Sequence, residues 1–289
     1  MKWAKLSIFL VVILVVAGLF VKEYKKSQVV GHSKYRFNLA TINPDKGVTF
    51  VSFDPAERSV LLIPFPTNLA ITSRSSGEYS ISSLYKLGSY TGQGGRFARQ
   101  KIQGFMRVPV PGYIVGKGGY KSQLFKAIFS GGETSLSRFD ALVLLLRSSS
   151  YKTRIVEEKE LIRAGVIEDN KYKSERLQEY VGSRLFDWGI GGKEIMVSIV
   201  NASGENGLGS DMAEFLTNLG LDVVMVRSAN SDAILEHSEW QIEDIDKQDE
   251  FGYIFQNLFE LPKPIIEKIG GEYRSQVLIK VGKDAKNLF

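Results

Sequence analysis

The fold class is decided by residues 194–226, which read EIMVSIVNASGENGLGSDMAEFLTNLGLDVVMV. The apolar run Glu194–Val200 predicts a β-strand, and the apolar residues of Ser210–Leu219 recur at the spacing of one helix face. Gly220 is placed to end that helix, and Leu221–Val226 predicts a second strand. Because a strand, helix and strand of this length form a right-handed parallel unit, the sequence predicts an α/β domain.

The loop between the first strand and the helix is rich in glycine and small polar residues. Its motif residues are Asn201, Ser203, Gly204, Gly207 and Gly209. The glycine spacing, G-x-x-G-x-G, differs from both the dinucleotide-binding pattern and the P-loop. We therefore interpret the loop as close backbone packing at the start of the helix, with Asn201 and Ser203 capping the helix or bracing the loop. Ligand contact by these two side chains is the alternative.

The last hundred residues resemble the LytR C-terminal domain, an accessory module found after LytR-CpsA-Psr (LCP) domains or alone behind a membrane anchor. The matching segments, in chain order, are Val200–Gly204, Gly207–Gly209, Leu219–Gly220, Val223–Val224 and Gln276–Asp284. Between them, Gln248–Phe259 predicts a second helix with an aromatic face. The resemblance implies a domain over residues 193–289, and it supplies no catalytic residue.

Residues 36–165 alternate between predicted strands and helices. Gly47–Pro66 predicts a β-hairpin that turns at Asp54 and Pro55, and both Asp45 and Asp54 are interpreted as turn residues. Helix Ser137–Arg147 begins with a Ser-x-x-Asp capping box. The other predicted elements are strands Asn68–Thr72 and Gly112–Val115, and helices Tyr79–Leu87, Arg96–Met106 and Tyr120–Phe129. This interleaving predicts a mixed α/β domain.

This middle region resembles the LCP family, whose members are membrane-anchored extracytoplasmic enzymes that transfer lipid-linked glycopolymers to the cell wall. The matching segments are Val48–Pro55, Leu61–Pro64, Tyr79–Tyr85, Val108–Tyr113 and Gly131–Gly132.

The chain departs from the LCP pattern at the positions that carry charge. Active members follow the Ile-Pro pair with Arg-Asp, where this chain has Phe65 and Pro66. They also place an Asp before the first of these strands, where this chain has Lys46 beside Asp45. Because guanidinium groups bind a diphosphate through paired hydrogen bonds, their loss predicts a degenerate, non-catalytic LCP-like domain. The alternative is a divergent phosphotransferase whose charges have been relocated.

A basic stretch follows in the middle region, at Arg96, Arg99, Lys101 and Arg107. It is interpreted as a solvated helix face, or alternatively as a contact for an anionic glycopolymer or lipid headgroup. Residues 166–192 then form a predicted helical connector. Charged helices are expected at Glu157–Ala164 and Lys173–Leu185, and paired glycines mark the domain boundary at residue 192.

The N-terminal residues 1–30 predict a transmembrane anchor. From Trp3 to Val21 the chain is almost wholly apolar, which gives a helix of about 28 Å, close to the thickness of one hydrocarbon core. Lysines flank both ends of this run. A signal peptide cleaved after Ala17 is the alternative. Both interpretations place the remaining chain at or beyond the cytoplasmic membrane, with an extracytoplasmic location expected for a single-pass protein.

Composition narrows the function classes. The 289 residues contain no Cys and two His, which excludes thiol chemistry and a multi-His metal centre, and we predict neither metal nor cofactor. An acidic run at residues 236–250 lacks the calcium-loop register. Residues 31–192 carry 23 basic and 14 acidic side chains, and residues 193–289 carry 9 and 17. This division argues against a nucleic-acid partner and allows either intramolecular docking or salt-sensitive self-association.

These observations lead to one expected function. We expect a membrane-anchored cell-envelope protein that binds or scaffolds near glycopolymer assembly, with an anionic glycopolymer or another envelope protein as its partner. The alternative is an LCP phosphotransferase that attaches lipid-diphosphate-linked glycopolymers to the cell wall.

Overall fold

The computed structural model describes most of the chain beyond residue 17. The described residues are 18, 21–24, 26–31, 33–73, 77–168, 171–172, 174–230 and 233–288. The predicted anchor at residues 3–21 therefore lies almost wholly outside them. Within the described ranges, no helix has the length and apolar character needed to cross a bilayer.

The strands and helices alternate along the described chain. The strands are β1 (Phe37–Asn43), β2 (Gly47–Asp54), β3 (Ser59–Pro64), β4 (Ala70–Ser73), β5 (Gly77–Ser80), β6 (Gly112–Val115), β7 (Lys152–Ile155), β8 (Ile167–Glu168), β9 (Lys171–Tyr172), β10 (Met196–Asn201), β11 (Asp222–Ser228), β12 (Glu239–Ile242), β13 (Ile265–Ile266) and β14 (Val277–Val281). The α-helices are α1 (Leu84–Ser89), α2 (Gly94–Met106), α3 (Tyr120–Phe129), α4 (Arg138–Ser150), α5 (Glu158–Arg163), α6 (Ser174–Leu185), α7 (Trp188–Gly191), α8 (Leu208–Leu219) and α9 (Gln248–Gly252). The 3₁₀ turns are Ile81–Ser83, Ile245–Lys247 and Lys283–Asn287, and a π-helix covers Tyr253–Leu258.

The middle region is built on a five-stranded sheet in the order β6-β1-β2-β3-β7. The predicted β2–β3 hairpin is antiparallel, and the Asp54 carboxylate accepts hydrogen bonds from the backbone N–H groups of Ala56 and Glu57 at 2.9 and 3.1 Å. Strands β6 and β7 run parallel to their neighbours at the two edges. Apolar clusters cover both faces of this sheet, and the mixed α/β class predicted from sequence is confirmed.

Different elements cover the two faces. Helices α3 and α4 pack on one face through side chains such as Leu124 and Leu144. On the other face lie α2, α6 and the small sheet β5-β4-β9-β8. Ile102 of α2 and Val181 of α6 belong to the core on this face. Residue Ser137 caps α4 by accepting the N–H of Asp140 at 3.0 Å, as the capping box predicts.

The C-terminal region forms a second five-stranded sheet in the order β11-β10-β14-β12-β13. Strand β10 is parallel to both β11 and β14, so the strand–helix–strand prediction is confirmed. Helix α8 buries Met212, Phe215 and Leu216 against this sheet. The helix ends at Gly220, whose φ of 105° lies in the left-handed region that glycine adopts most readily.

The two sheet regions meet through the connector and the segment before β1. The Tyr35 ring stacks on Tyr253 with centroids 4.8 Å apart. The backbone N–H of Arg36 donates to the Asp187 carboxylate at 2.7 Å. Burial raises the pKa of Asp187, and the hydrogen bonds donated to its carboxylate oppose this shift.

Two predicted helices are wrong in part. Tyr79–Leu87 begins as strand β5, which pairs with β4, and then passes through a 3₁₀ turn into α1. This segment forms a strand because its backbone pairs with β4, a contact that local periodicity does not reveal. The predicted helix Gln248–Phe259 is α-helical only to Gly252 and continues as the π-helix.

Candidate functional site

The edge of the middle sheet carries a cleft where the LCP resemblance implies a catalytic site. We call this the sheet-edge cleft. It has a volume of about 380 Å³, and its walls include the start of β2, the end of β3 and the start of α3. Its apolar lining includes Leu62, Pro64 and Phe65, and Lys46 is the charged side chain among its lining residues.

Phe65, at the position where the LCP resemblance implies an arginine, is a core residue. Its side chain is 5% exposed and belongs to the apolar cluster that contains Ile63 and Leu69. Its ring meets the Phe105 ring edge-on, with centroids 5.8 Å apart. A guanidinium at this position would be desolvated, so the surroundings of Phe65 favour an apolar side chain.

Two buried polar atoms in the sheet-edge cleft have no hydrogen-bond partner among the described residues. They are the Tyr120 hydroxyl and the Gln123 Oε1 atom. The amide nitrogen of Gln123 donates to the carbonyls of Gly116 and Gly118 at 2.8 and 3.1 Å, which fixes the direction of its free oxygen. Because unpaired buried polar groups are costly, these atoms suit a ligand hydroxyl or an ordered water.

The sheet-edge cleft does not fit a diphosphate with a divalent cation. None of its described lining residues is a carboxylate. Asp45, beside the position where the family has an Asp, instead forms an exposed ion pair with Lys117 at 2.9 Å. That hydrogen bond lowers the pKa of Asp45. Since Mg²⁺ prefers carboxylate oxygens, the residues present are the wrong donors for this ion.

Two of the predicted basic residues line a polar cleft between α2 and the C-terminal region. We call this the inter-unit cleft, and its volume is about 430 Å³. Arg96 is exposed, whereas Arg99 is buried and donates to the Val110 carbonyl at 3.0 Å and to Glu260 at 3.1 Å. The remaining polar lining residues are Gln93, Gln100, Gln103, Ser238, Glu260, Asp284 and Asn287.

The other two predicted basic residues are Lys101, which lies on α2, and Arg107, which is the C-terminal cap of α2. Arg107 donates to Asp211 at 2.8 Å and lies 3.6 Å from Glu214, and its own carbonyl accepts the Asn218 amide at 3.0 Å. Lys101 is largely buried, with its ammonium 5.5 Å from the centre of the Phe97 ring. Desolvation lowers the pKa of Lys101. Arg96 and Arg99 therefore line the inter-unit cleft, Arg107 contacts the C-terminal region, and Lys101 is buried beside Phe97. Because Arg99 and Lys101 are buried, the four residues do not form one solvated helix face, and their role as ligand contacts stays a prediction.

A third cleft gathers arginines that the sequence did not bring together. We call it the arginine cleft; its volume is about 510 Å³, and it lies at the opposite end of β3 from Phe65. It is lined by Arg36, Arg154 and Arg184, with the carboxylates of Asp54 and Glu57 and the exposed indole of Trp188.

The arginine-cleft cations already have intramolecular partners. Arg36 pairs with Asp54 and donates to the Ser52 hydroxyl at 3.0 Å. Burial lowers the pKa of Arg36, and Asp54 opposes this. Arg154 and Arg184 lie 2.8 and 3.6 Å from Glu160. No sequence signal joins these residues, because Arg36, Arg154 and Arg184 are distant in sequence and meet only in the folded chain.

The predicted motif loop is braced by its own polar side chains. The Asn201 amide donates to the Glu205 carbonyl at 2.8 Å, and the Ser203 hydroxyl donates to Asn201 Oδ1 at 2.6 Å. Gly204 and Gly207 have φ values of 74° and 85°. A Cβ atom at the fifth motif position, residue 209, would lie 3.1 Å from the Asn201 Cβ, so close packing also limits this position. These contacts agree with the bracing interpretation. A cavity of about 290 Å³ adjoins the loop.

The acidic C-terminal residues serve several separate contacts. Glu236 and Glu239 pair with Lys283 and Lys280 at 2.6 and 2.8 Å. The Glu243 carboxylate accepts the backbone N–H of Ile269 at 2.6 Å. Among the residues that the structure describes, no group of three or more His, Asp or Glu side chains is arranged to hold a metal ion.

Comparisons with known proteins return LCP structures. No family model and no curated protein matches the chain. The LytR-CPS2A-psr family protein YwtF (TagT) from Bacillus subtilis, solved with bound octaprenyl pyrophosphate lipid, is similar at 13% identity and a TM-score of 0.36, over 50% of this chain and 87% of that chain. Bacillus subtilis TagV is similar at 10% identity and 0.35, over 50% and 94%. A crystal structure of Bacillus subtilis TagT is similar at 11% identity and a TM-score of 0.26, over 80% of this chain and 93% of that chain. TM-scores this far below 0.5 establish no common fold, and identities this low establish no common function.

Proposed function

We propose that the chain is a single-pass envelope protein whose extracytoplasmic part binds a wall glycopolymer without transferring it. The observation that carries this proposal is the burial of Phe65 in the core, at the position where the LCP resemblance implies an arginine. Phosphoryl transfer requires groups that absorb the charge developing on the phosphate oxygens. The sheet-edge cleft offers Lys46 alone for that purpose among its lining residues.

The inter-unit cleft is the proposed binding site. The side-chain amides of Gln93, Gln100 and Asn287 reach solvent there and can both donate and accept hydrogen bonds, which matches neighbouring sugar hydroxyls. Arg96 is exposed at this cleft and supplies a guanidinium for a phosphate group of the polymer. Arg99 is held by Val110 and Glu260, so its side chain shapes the cleft wall.

Binding by the full chain in lipid nanodiscs tests this site, with a soluble poly(glycerol phosphate) glycopolymer as the probe. We expect Arg96→Gln to weaken binding about tenfold, the effect of losing one charge-assisted hydrogen bond. Arg163→Gln, which changes an exposed arginine on α5, is the matched control and keeps wild-type affinity. Equal affinity of the two variants contradicts the assignment of the inter-unit cleft.

The anchor and its orientation are tested separately in membranes. We expect the full chain to stay in the membrane fraction at alkaline pH, because residues 3–21 span the bilayer. The chain lacks cysteine, so Tyr90→Cys places a unique thiol at a side-chain position that is 87% exposed. A membrane-impermeant maleimide should label this thiol in intact cells. Labelling only after lysis would contradict the extracytoplasmic location.

The second candidate function is a divergent phosphotransferase, and the arginine cleft is the observation that favours it. Such an enzyme would cleave the P–O–P bond of a polyprenyl-diphosphate-linked glycopolymer. An acceptor hydroxyl would form the new phosphodiester and lose its proton to a carboxylate, and the lipid monophosphate would leave. Asp54 and Glu57 are carboxylates in this cleft, and Arg154 and Arg184 are its cations on β7 and α6.

Release of the lipid monophosphate distinguishes the two functions. We expect the full chain to release none above the rate without protein, because the arginine-cleft cations are neutralised within the chain. Release that disappears in the Arg154→Gln, Arg184→Gln double variant and persists in Arg163→Gln would establish the transferase and refute the binding-only proposal.

A further inference from the structure

Helices α3 and α4 present an exposed apolar layer on the outside of the middle region. We call this the helical layer; its side chains Phe125, Phe129, Leu142 and Leu146 are 55%, 68%, 40% and 62% exposed. The rings of Phe125 and Phe129 lie with centroids 4.7 Å apart. Leu142 and Leu146 are four residues apart and therefore share one face of α4. Exposed apolar patches of this kind mark interaction surfaces.

The inward sides of the same helices are already used by the sheet. Leu124 and Ala127 of α3 and Ala141 and Leu144 of α4 are buried in the cluster that covers β1, β2 and β3. The exposed apolar side chains thus point away from the only sheet face these helices cover among the described residues. Stability of the domain does not require them to be apolar.

The charges of the helical layer are complementary to an anionic surface. Lys121 and Lys126 on α3 and Arg138 on α4 are exposed. Asp140 is the one acidic residue on these two helices, and it is buried and bound to Ser137. Glu133, in the loop between the helices, accepts hydrogen bonds from Tyr85 and the backbone of Gly95. An apolar face flanked by Lys and Arg is the pattern of a membrane-surface helix.

The N-terminal chain ties this layer to the membrane. Ser27 donates to the Asp140 carboxylate, which also accepts the Val29 N–H at 3.3 Å. Arg147 of α4 donates to the Val29 carbonyl at 3.3 Å, and Val29 is 1% exposed. The predicted anchor ends at Val21, so at most about 20 Å of extended chain separates the bilayer from α4. Residues 21–24 and 26 are helical, which shortens this distance further.

We propose that the helical layer lies on the surface of an anionic phospholipid bilayer. Phe125, Phe129, Leu142 and Leu146 enter the headgroup region, and the neighbouring lysines and Arg138 contact lipid phosphates. This inference rests on the membrane anchor of the proposed function. It leaves the arginine cleft and the inter-unit cleft outside the lipid contact, because both are built from elements other than α3 and α4.

Site-specific labelling of the full chain tests the proposal in nanodiscs that contain about 30% anionic lipid. An environment-sensitive fluorophore is attached through Phe129→Cys, Leu146→Cys or the control Tyr90→Cys. Lipids carrying a nitroxide just below the headgroup should quench positions 129 and 146 about threefold more than position 90. The double variant Lys121→Gln, Lys126→Gln should reduce that quenching, whereas Lys263→Gln should not.

The outcomes separate the layer from its anchor. Quenching at positions 129 and 146 no greater than at position 90, in a chain that stays membrane-bound at alkaline pH, refutes the helical layer and leaves the anchor intact. A chain released at alkaline pH refutes the anchor and this proposal with it. If the fluorophore at position 129 or 146 is shielded from water only when excess unlabelled chain is added, a second copy covers the helical layer. This result also refutes the lipid assignment.

Discussion

Replacing Phe65 tests whether its position in the sheet-edge cleft can carry a charged group. Three substitutions separate packing from charge: Phe65→Leu keeps an apolar side chain, Phe65→Ala removes the ring, and Phe65→Arg introduces the residue type that the LCP resemblance implies. Because Phe65 is 5% exposed and packs edge-on against Phe105, all three changes act on the core.

The expected magnitudes follow from this burial. Truncating a buried Phe to Ala costs about 3–5 kcal/mol of unfolding free energy, and the lost ring pair accounts for about 0.5–1.5 kcal/mol of it. Phe65→Leu retains most of the buried area and should cost about 1.5 kcal/mol or less. Phe65→Arg should cost at least as much as Phe65→Ala, since it desolvates a charge in addition to losing the packing.

Urea denaturation of the full chain in detergent micelles, followed by far-ultraviolet circular dichroism, measures these differences. A shift of the midpoint at constant slope gives the change in unfolding free energy. Tyr90→Ala is the control, since this side chain is 87% exposed and its truncation should change stability by at most about 0.5 kcal/mol.

One result would refute the reasoning about Phe65. If Phe65→Arg is as stable as the native chain, the sheet-edge cleft accommodates a guanidinium and its apolar state is not enforced by the fold. Gain of lipid monophosphate release in that same variant would further show that a single substitution separates this chain from the active LCP pattern.

Three further substitutions probe the contact between the middle and C-terminal regions, the end of helix α8, and helix α6 of the connector. Asp211→Asn removes the negative charge that pairs with the Arg107 cation at 2.8 Å and should lower the unfolding free energy by about 1–3 kcal/mol. Gly220→Ala should cost about 2–5 kcal/mol, because φ is 105° and a Cβ would lie 2.9 Å from the Gly191 nitrogen. Burial raises the pKa of Tyr180 to about 12. The unfolded chain therefore loses this proton first, and stability should fall as pH rises above about 10, an effect that Tyr180→Phe reduces.

Each of these predictions has a matched control or a contradicting result. Asp222→Asn changes an exposed acid on β11 and should be neutral. Gly271→Ala meets no atom within 4 Å and should also be neutral, so equal effects of the Gly220 and Gly271 substitutions contradict the packing argument. For Tyr180, identical pH profiles of native and Tyr180→Phe chains between pH 10 and 12, measured by urea midpoints, would show that this hydroxyl is not shielded from solvent.

Sequence patterns predicted the elements whose stability is local. Helix α3 matches its predicted bounds because its apolar residues recur on one face, and α4 begins at the predicted cap. The strand–helix–strand unit of the C-terminal region was predictable because β10 and α8 have clear and different periodicities. In these segments, residues close in sequence supply the deciding contacts.

Two of the missed strands, β1 and β7, carry no alternating pattern, and each pairs with a strand far away in sequence. Strand β1 is buried on both faces, so it shows no alternation, and its two neighbours are β2 and β6. Strand β7 is an exposed edge strand, KTRI, with no apolar face and one neighbour, β3. The arginine cleft was missed for the same reason, since it depends on where β1 and β7 lie in the sheet.

The segregation of charge along the chain is explained by contact between its two units. Arg99 reaches Glu260 and Arg107 reaches Asp211, so part of the basic middle and part of the acidic end neutralise each other within one molecule. Intramolecular docking, one of the two alternatives left by the sequence, is therefore present in the structure. Salt-sensitive self-association stays a prediction, and identical sedimentation at low and high salt would argue against it.

This docking also explains why the inter-unit cleft suits recognition better than catalysis. Arg99 contributes one wall and is fixed to a carboxylate across the interface, whereas Arg96 on the same helix remains exposed to a ligand. A fixed, neutralised guanidinium cannot move onto a phosphate without leaving Glu260 unpaired. A polymer that binds there would contact both units at once, so its affinity should depend on their relative position. Disrupting the Arg107–Asp211 pair, which lies outside the cleft lining, should therefore weaken glycopolymer binding without removing any group that touches the polymer.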